Sequence, residues 1–435
     1  MSISPAMDGS EARRPRQDRA MLLTLIGCTI AAQADRHVMS LLAKPVQDAL
    51  HLSDLQLGLL QGVAFSLFYA IAGLPLGWLL DRRARRVGIA GLCVLIWSLA
   101  TIACGFVGSF VTLFFFRSLT AVAEAGLGPA AASLISQMGG RRDVMRASSF
   151  FMLAPWLGSG LALIGGGIAL KLLTGSIEDP WRYIFVLLGL PGLALAPLLA
   201  WGVTERPRPE RQQVADAVVK SGSSIPPFLP WHYAAMTANF LAMFGFVAWF
   251  PMLLVREHGM EVGSAGAASG AAFLTAGVIG TLVANRAAAR RQDDSLFALI
   301  RFLKLIAAGA AVATAALGLS GSPVTALICY AGFVFLASMI NSMMLVPLQL
   351  SVQPWQQARA AALMGLCTAA VGGSLGPLFV GVFSNGGMRL GLAIALTGMA
   401  GTLIAAACFF IAQTRLAGSA GDAALPQDGS AAHPV

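Results

Sequence analysis

From Ala20 onward the chain is built of long apolar runs separated by short polar breaks. Within the runs the apolar positions are continuous. Roughly 20 apolar residues in a row are what a helix needs to cross a bilayer, and the two-residue alternation of barrel strands is missing. Twelve segments of this kind can be placed, at 20–43, 55–80, 87–107, 110–137, 147–173, 181–203, 231–255, 265–286, 298–319, 323–350, 358–384 and 388–413. The predicted fold is an all-α membrane protein of twelve transmembrane helices.

Composition agrees. Of the 435 residues, 57% are hydrophobic and only 11% charged, against about 25% charge in a soluble domain. The net charge of +9 raises the question of nucleic acid, but the basic residues are spread over loops on alternate sides of the spans. With the N-terminus inside, 22 of the 29 Lys and Arg fall on the cytoplasmic side and five (Lys44, Lys171, Arg182, Arg256, Arg389) on the other. That is the positive-inside pattern. It predicts both termini in the cytoplasm, a bilayer as the basic face's neighbour and no nucleic acid. The first run is too long for a cleavable signal, and compact loops suggest a bacterial inner membrane. The six cysteines sit singly in apolar runs, without the spacing of a disulfide framework or metal site.

The longest polar interior segment, "VTERPRPERQQVADAVVKSGSSIPP", follows the sixth run. It divides the chain into an N-tail (1–19), a first six-helix bundle (20–203), a linker (204–230) with room for a short surface helix at 210–219, a second bundle (231–414) and a C-tail (415–435). The halves read as repeats. "GWLLDRRARR" after the second run aligns with "TLVANRAAARR" after the eighth, Asp81–Arg82 against Asn285–Arg286. Internal repetition on this scale marks secondary transporters that rock two pseudo-symmetric halves about a midplane site.

Charge inside the runs is scarce. Of the acids only Asp35 and Glu124 lie well within spans, and of the bases only Arg36 and Arg117. All four fall in the first half. Charge at the centre of a membrane helix costs at least about 2.5–3.5 kcal/mol per residue, so these four are functional candidates. Asp35 lies roughly 22 Å along its span, which runs outward, and Arg117 about 10 Å below the outer end of a span running inward; in a slab about 30 Å thick the depths nearly coincide. Asp35 can therefore pair with Arg117 if spans 1 and 4 face each other. Glu124, seven residues on, shares a face with Arg117 and lies deeper. Asp35 is the expected proton-coupling acid, with Glu124 a second proton site or a partner for an ammonium group. Arg36 and Arg117 are candidate ligands for an anionic head, because guanidinium forks suit phosphate. Arg36 has a second option, to snorkel toward the outer interface. Structural ion pairing is the alternative for all four. His37 is read as interfacial.

"GWLLDRRARR" (77–86) resembles the signature loop of the major facilitator superfamily, with Ala84 at a position that is Gly in that signature. "WRYIFVLLGLPGL" and "ARAAALMGLCTAAVGGSLGPLFVGVFSN" resemble its sixth and eleventh spans. The stretch from "ADRHVMSLL" through "GLLQ" to "DRRARR", with "RSLTAVAEAGLGPAAASLI" and "APWLGSGLALIGG", is similar to the Spinster-type branch. The resemblance implies the major facilitator fold, and substrates such as lysophospholipids or sphingosine phosphate moved with protons. It also gives the loop a latch role at a cytoplasmic gate formed by Gly77, Asp81, Arg82, Arg85 and Arg86.

The second half carries neutral polar residues in its spans, Asn239, Thr275, Asn341 and Gln349, near aromatics such as Phe240, Phe244 and Trp249. Asn239, Phe240, Trp249 and Asn341 are candidate substrate contacts lining an apolar cavity; the alternative is lipid-facing aromatics. Pro129, Pro155 and Pro377 are expected to bend their helices. An enzyme is not indicated: no HExxH, intramembrane aspartate pair or GxxxxGK[ST] loop is present. The expected protein is a monomeric, cofactor-free secondary transporter, coupled to protons, for an amphipathic lipid-like substrate. Small organic anions or drugs are the alternative cargo.

Overall fold

In a computed structural model the described residues are 9–82, 86–138, 140–203, 226–290 and 295–423. Eleven helical segments are long and apolar enough to cross a membrane: Asp54–Leu80, Arg86–Cys104, Phe110–Ile135, Ala154–Leu173, Pro180–Gly202, Leu229–Arg256, Val262–Ala287, Leu296–Gly318, Pro323–Ser351, Arg359–Asn385 and Leu390–Ala417. They are spans 2 to 12. Span 1 lies within the helix Gly9–Leu50. Its apolarity is diluted by Gln33, Asp35, Arg36 and His37, and it carries two of the four charged residues expected well within the spans. With it the count is twelve. The helix that holds span 1 begins before the run at Ala20, at Gly9, within the basic tail. The helix of span 12 likewise runs beyond the span, to Ala423. The linker and its expected surface helix at 210–219 lie outside the described residues.

The packing repeats with a shift of six. Span 3 packs on span 6 and span 9 on span 12; span 1 packs on spans 5 and 6, and span 7 on spans 11 and 12; spans 2 and 4 pair as spans 8 and 10 do. The halves meet through span 2 against span 11, span 5 against span 8, and span 1 against span 7. This is a pseudo-twofold arrangement of two six-helix bundles.

Three spans break before prolines, while Pro377 lies inside the helix Ser374–Asn385. Span 4 is interrupted between Glu124 and Leu127, span 5 between Phe151 and Ala154, and span 10 between Ser342 and Val346. Each break lies just before a proline, Pro129, Pro155 or Pro347, because the ring removes a donor and clashes with the carbonyl four residues back. Spans 2 and 11 instead contain π-helical stretches, Leu59–Leu67 and Thr368–Gly373, and these two stretches face each other across the seam.

The seam is tight at the face away from the termini. A Cβ on Gly62 would lie 2.3 Å from the Ser374 carbonyl, and one on Gly167 would lie 2.5 Å from that of Gly263. Only glycine lets these backbones approach. Polar locks join the halves at the same face. Arg256 of span 7 donates from Nη1 and Nη2 to the two Asp54 carboxylate oxygens, each at 2.7 Å, and from Nη2 to Gln47 at 3.1 Å. Ser384 of span 11 also donates to Asp54. Lys171 lies 3.6 Å from Glu261 across the span 5–span 8 contact.

Candidate functional site

Spans 1 and 4 run antiparallel, and each supplies one acid and one base. Arg117 Nη1 lies 3.0 Å from Asp35 Oδ2, and both side chains are almost fully buried, at 1% and 2% exposure. The same guanidinium donates to the Asp35 backbone carbonyl at 3.3 Å, and Thr101 of span 3 donates to the other carboxylate oxygen at 3.0 Å. The carboxylate is thus held by a guanidinium on one side and a hydroxyl on the other, and this pairing is what makes its burial tolerable.

Arg36, the next residue, turns toward the interior rather than to the outer interface. Its Nη2 lies 3.3 Å from Glu124 Oε2, and Glu124 is 2% exposed. Snorkelling is therefore not what Arg36 does. Its guanidinium lies over the rings of Phe65 and Tyr69, at 4.5 and 4.6 Å, and Arg117 lies 5.2 Å from the Phe65 ring. Cations over aromatic faces gain electrostatic attraction when water is excluded. Span 2 thus holds both arginines inward.

The two pairs are not equally closed. Glu124 Oε1 and Arg36 Nε are buried without a hydrogen-bond partner among the described residues. Arg36, at 20% exposure, lines a narrow pocket with Gln61, Phe65 and Ser66 of span 2 and Phe244 and Val247 of span 7. The pocket therefore lies between the halves. Its cavity volume is about 30 Å³, room for about two waters.

His37 also lines this pocket, with Nδ1 3.0 Å from Ser159 Oγ and its ring against Phe273. It is not interfacial, as the sequence suggested.

The second-half candidates fall elsewhere. Trp249 is fully buried in the core and donates to the Pro377 carbonyl at 2.9 Å. It therefore touches neither the pocket nor lipid, and its expected contact with substrate is corrected here. Its neighbours Phe246, Phe250, Tyr330 and Phe333 stack together between spans 7 and 10, with ring centroids as close as 3.9 Å; this is core packing, not an apolar cavity wall. Asn239 and Asn341 bond to each other at 2.8 Å and tie the same two spans, and Asn239 is fully buried. Phe240 stacks on Phe244, and it is Phe244 that reaches the pocket. Thr275 is exposed, with its hydroxyl on its own helix backbone, and Gln349 is exposed as well.

Of the expected gate, Arg86 donates to Ser133 of span 4, and Gly77 faces Pro129 at 3.9 Å from the Cβ it lacks. Arg85 and the side chains of Asp81 and Arg82 lie outside the described residues. Thr101, Gln61, Phe65 and Tyr69 were missed in the sequence. A single hydroxyl or amide in an apolar run, or an aromatic among other aromatics, carries no local signal of a charged neighbour on another span.

The sequence profile of the Major Facilitator Superfamily matches residues 24–377. An MFS-type efflux pump of Mycolicibacterium smegmatis is 30% identical over 427 residues, covering 94% of this chain and 95% of that protein. A probable L-galactonate transporter of Escherichia coli is 29% identical over 285 residues, 61% of this chain and 60% of that one. Among solved structures, the fold is similar to a bacterial homolog of the human lysosomal transporter Spinster in an inward-facing, unoccupied conformation. That similarity has a TM-score of 0.78 at 24% identity and covers 92% of this chain and 98% of that one. It is also similar to a D-xylose–proton symporter, with a TM-score of 0.69 at 16% identity, covering 89% and 96%. Repeated six-helix packing, a superfamily match over most of the length and a relative aligned nearly end to end establish that this chain belongs to the major facilitator superfamily of transporters.

Proposed function

We propose that this transporter carries an amphipathic anion of the lysophospholipid or sphingosine phosphate kind, coupled to protons, by alternating access. The observation that carries the reading is the pairing of Arg36 with Glu124 beside a pocket shared by both halves. A guanidinium that is partly exposed, with a donor left over, can exchange its carboxylate for a phosphate. The released or protonated Glu124 then couples anion binding to a proton. Asp35 serves as the second proton site: a shift of span 4 against span 1 within the first bundle changes how closely Arg117 attends it, and with that its proton affinity. Arg117 itself is committed to Asp35 and acts on the cargo only through that acid. Cofactors have no part in this scheme.

The basic loops orient the chain with both termini in the cytoplasm, of a bacterial inner membrane on this reading. The locked face is then the outer one, which makes this conformation inward-facing. Gly77, Asp81, Arg82, Arg85 and Arg86 belong to the cytoplasmic gate that closes in the opposite state.

A second reading, small organic anions or drugs, is favoured by the similarity to a probable L-galactonate transporter and to an efflux pump. Counterflow in proteoliposomes separates the two. Oleoyl lysophosphatidic acid should exchange and galactonate should not; exchange of galactonate alone would overturn the lipid reading.

A further inference from the structure

Gln61 sits on the π-helical stretch Leu59–Leu67 and lines the inter-half pocket with Arg36. Both atoms of its amide, Nε2 and Oε1, are buried without a hydrogen-bond partner among the described residues. Buried amides are nearly always satisfied, because leaving them bare forfeits their hydration. Here a donor and an acceptor are left open together, beside the free Nε of Arg36 and opposite the apolar surface of Phe244 and Val247. π-helical turns inside α-helices occur often at functional sites. This one keeps the amide at the seam, where the halves part during transport.

We propose that Gln61 is a specificity residue that reads a hydroxyl of the cargo next to its anionic group. A hydroxyl both donates and accepts, so it can satisfy the two halves of one amide. Once the halves part and the pocket widens, the anion is held by Arg36, and the adjoining chain lies on Phe244 and Val247. The ligand class is an anion carrying a free hydroxyl a few bonds from the phosphate, on an aliphatic tail. This rests on the reading of Arg36 as the head-group site and extends it by one contact.

The test uses the full-length protein in nanodiscs and two probes: oleoyl lysophosphatidic acid and its analogue lacking the glycerol hydroxyl. The wild type should bind the hydroxyl probe about tenfold more tightly, the scale of one hydrogen bond to an otherwise bare buried amide. Gln61→Met should bind both probes alike, at the wild-type affinity for the deoxy probe. Equal binding of the two probes by the wild type overturns the proposal without any variant, so a poorly folded variant does not shelter it. Equal weakening of both probes by Gln61→Met overturns it too, since that is a packing defect. If the wild type binds neither probe, the head-group reading fails and takes this proposal with it. Binding without discrimination leaves the head-group reading standing.

Discussion

Arg117 and Asp35 meet at 3.0 Å with almost no exposure, and the same guanidinium also reaches the Asp35 backbone carbonyl. The contact ties span 4 to span 1 at membrane depth. Among the described residues it is the most buried ion pair, and removing one partner leaves the other charge in a medium that cannot solvate it.

Asp35→Asn should abolish proton-driven accumulation while leaving counterflow of the unlabelled-for-labelled cargo measurable. Arg117→Leu should destabilise the protein by about 3–5 kcal/mol, because it strands a buried carboxylate. The double variant Asp35→Leu/Arg117→Leu should recover much of that loss. Thermal melts in detergent read the stability, and an imposed pH gradient in proteoliposomes reads the coupling. Normal accumulation by a well-expressed Asp35→Asn would end the case for this acid.

Thr101 donates to the Asp35 oxygen that Arg117 does not hold. Thr101→Val keeps the shape and removes the hydroxyl, and a hydrogen bond to a charged group contributes about 1.5–3 kcal/mol. Thr101→Val should therefore lower stability on that scale and shift the pH profile of transport, whereas Thr101→Ser should restore both. Identical pH profiles for the wild type and Thr101→Val would show that the hydroxyl only packs.

Much of this was legible in the sequence. Twelve apolar runs gave the spans, and the depths of Asp35 and Arg117 pointed to their pairing. The partner of Arg36 was not legible. Consecutive residues on a helix point about 100° apart, so one of the two faces away from whatever the other meets. Whether that direction is lipid or interior depends on Phe65 and Tyr69 of another span. The second half misled for a related reason. In a helix apolar on every face, composition does not separate core from cavity, and Trp249 went to the core because its indole donor finds the Pro377 carbonyl. The breaks in spans 4 and 5 could be read from Pro129 and Pro155, and the π-helical stretch of span 11 ends four residues before Pro377; that of span 2 had no such marker.

The Asp54–Arg256 lock joins the halves at the face away from the termini. Arg256→Gln should move the population toward the state open on that face. A change of about 1.4 kcal/mol shifts it tenfold. Spin labels at His51 and Gly386, both exposed, should report a longer distance component, and Asp54→Asn/Arg256→Gln should add little to the single variant. Unchanged distance distributions would mean that the seam holds without the lock.

Gly62 has no room for a Cβ against the Ser374 carbonyl. Gly62→Val should force the seam apart without touching any charged group. Its expected signature is the same longer distance component, with the fold preserved in the melt. Loss of folding in Gly62→Val but not in Gly62→Ala, with no shift in either, would make this glycine a packing requirement alone.

The four ions of the first half, Asp35 with Arg117 and Arg36 with Glu124, have a formal charge of zero together. Moving one elementary charge through the membrane field involves about 2.3 kcal/mol per 100 mV. An unloaded carrier whose buried charges cancel does no such work when it reorients. With both acids ionised and the four moving together, these groups add no voltage dependence to the return step, so on the proposed cycle any electrical signature belongs to the loaded steps.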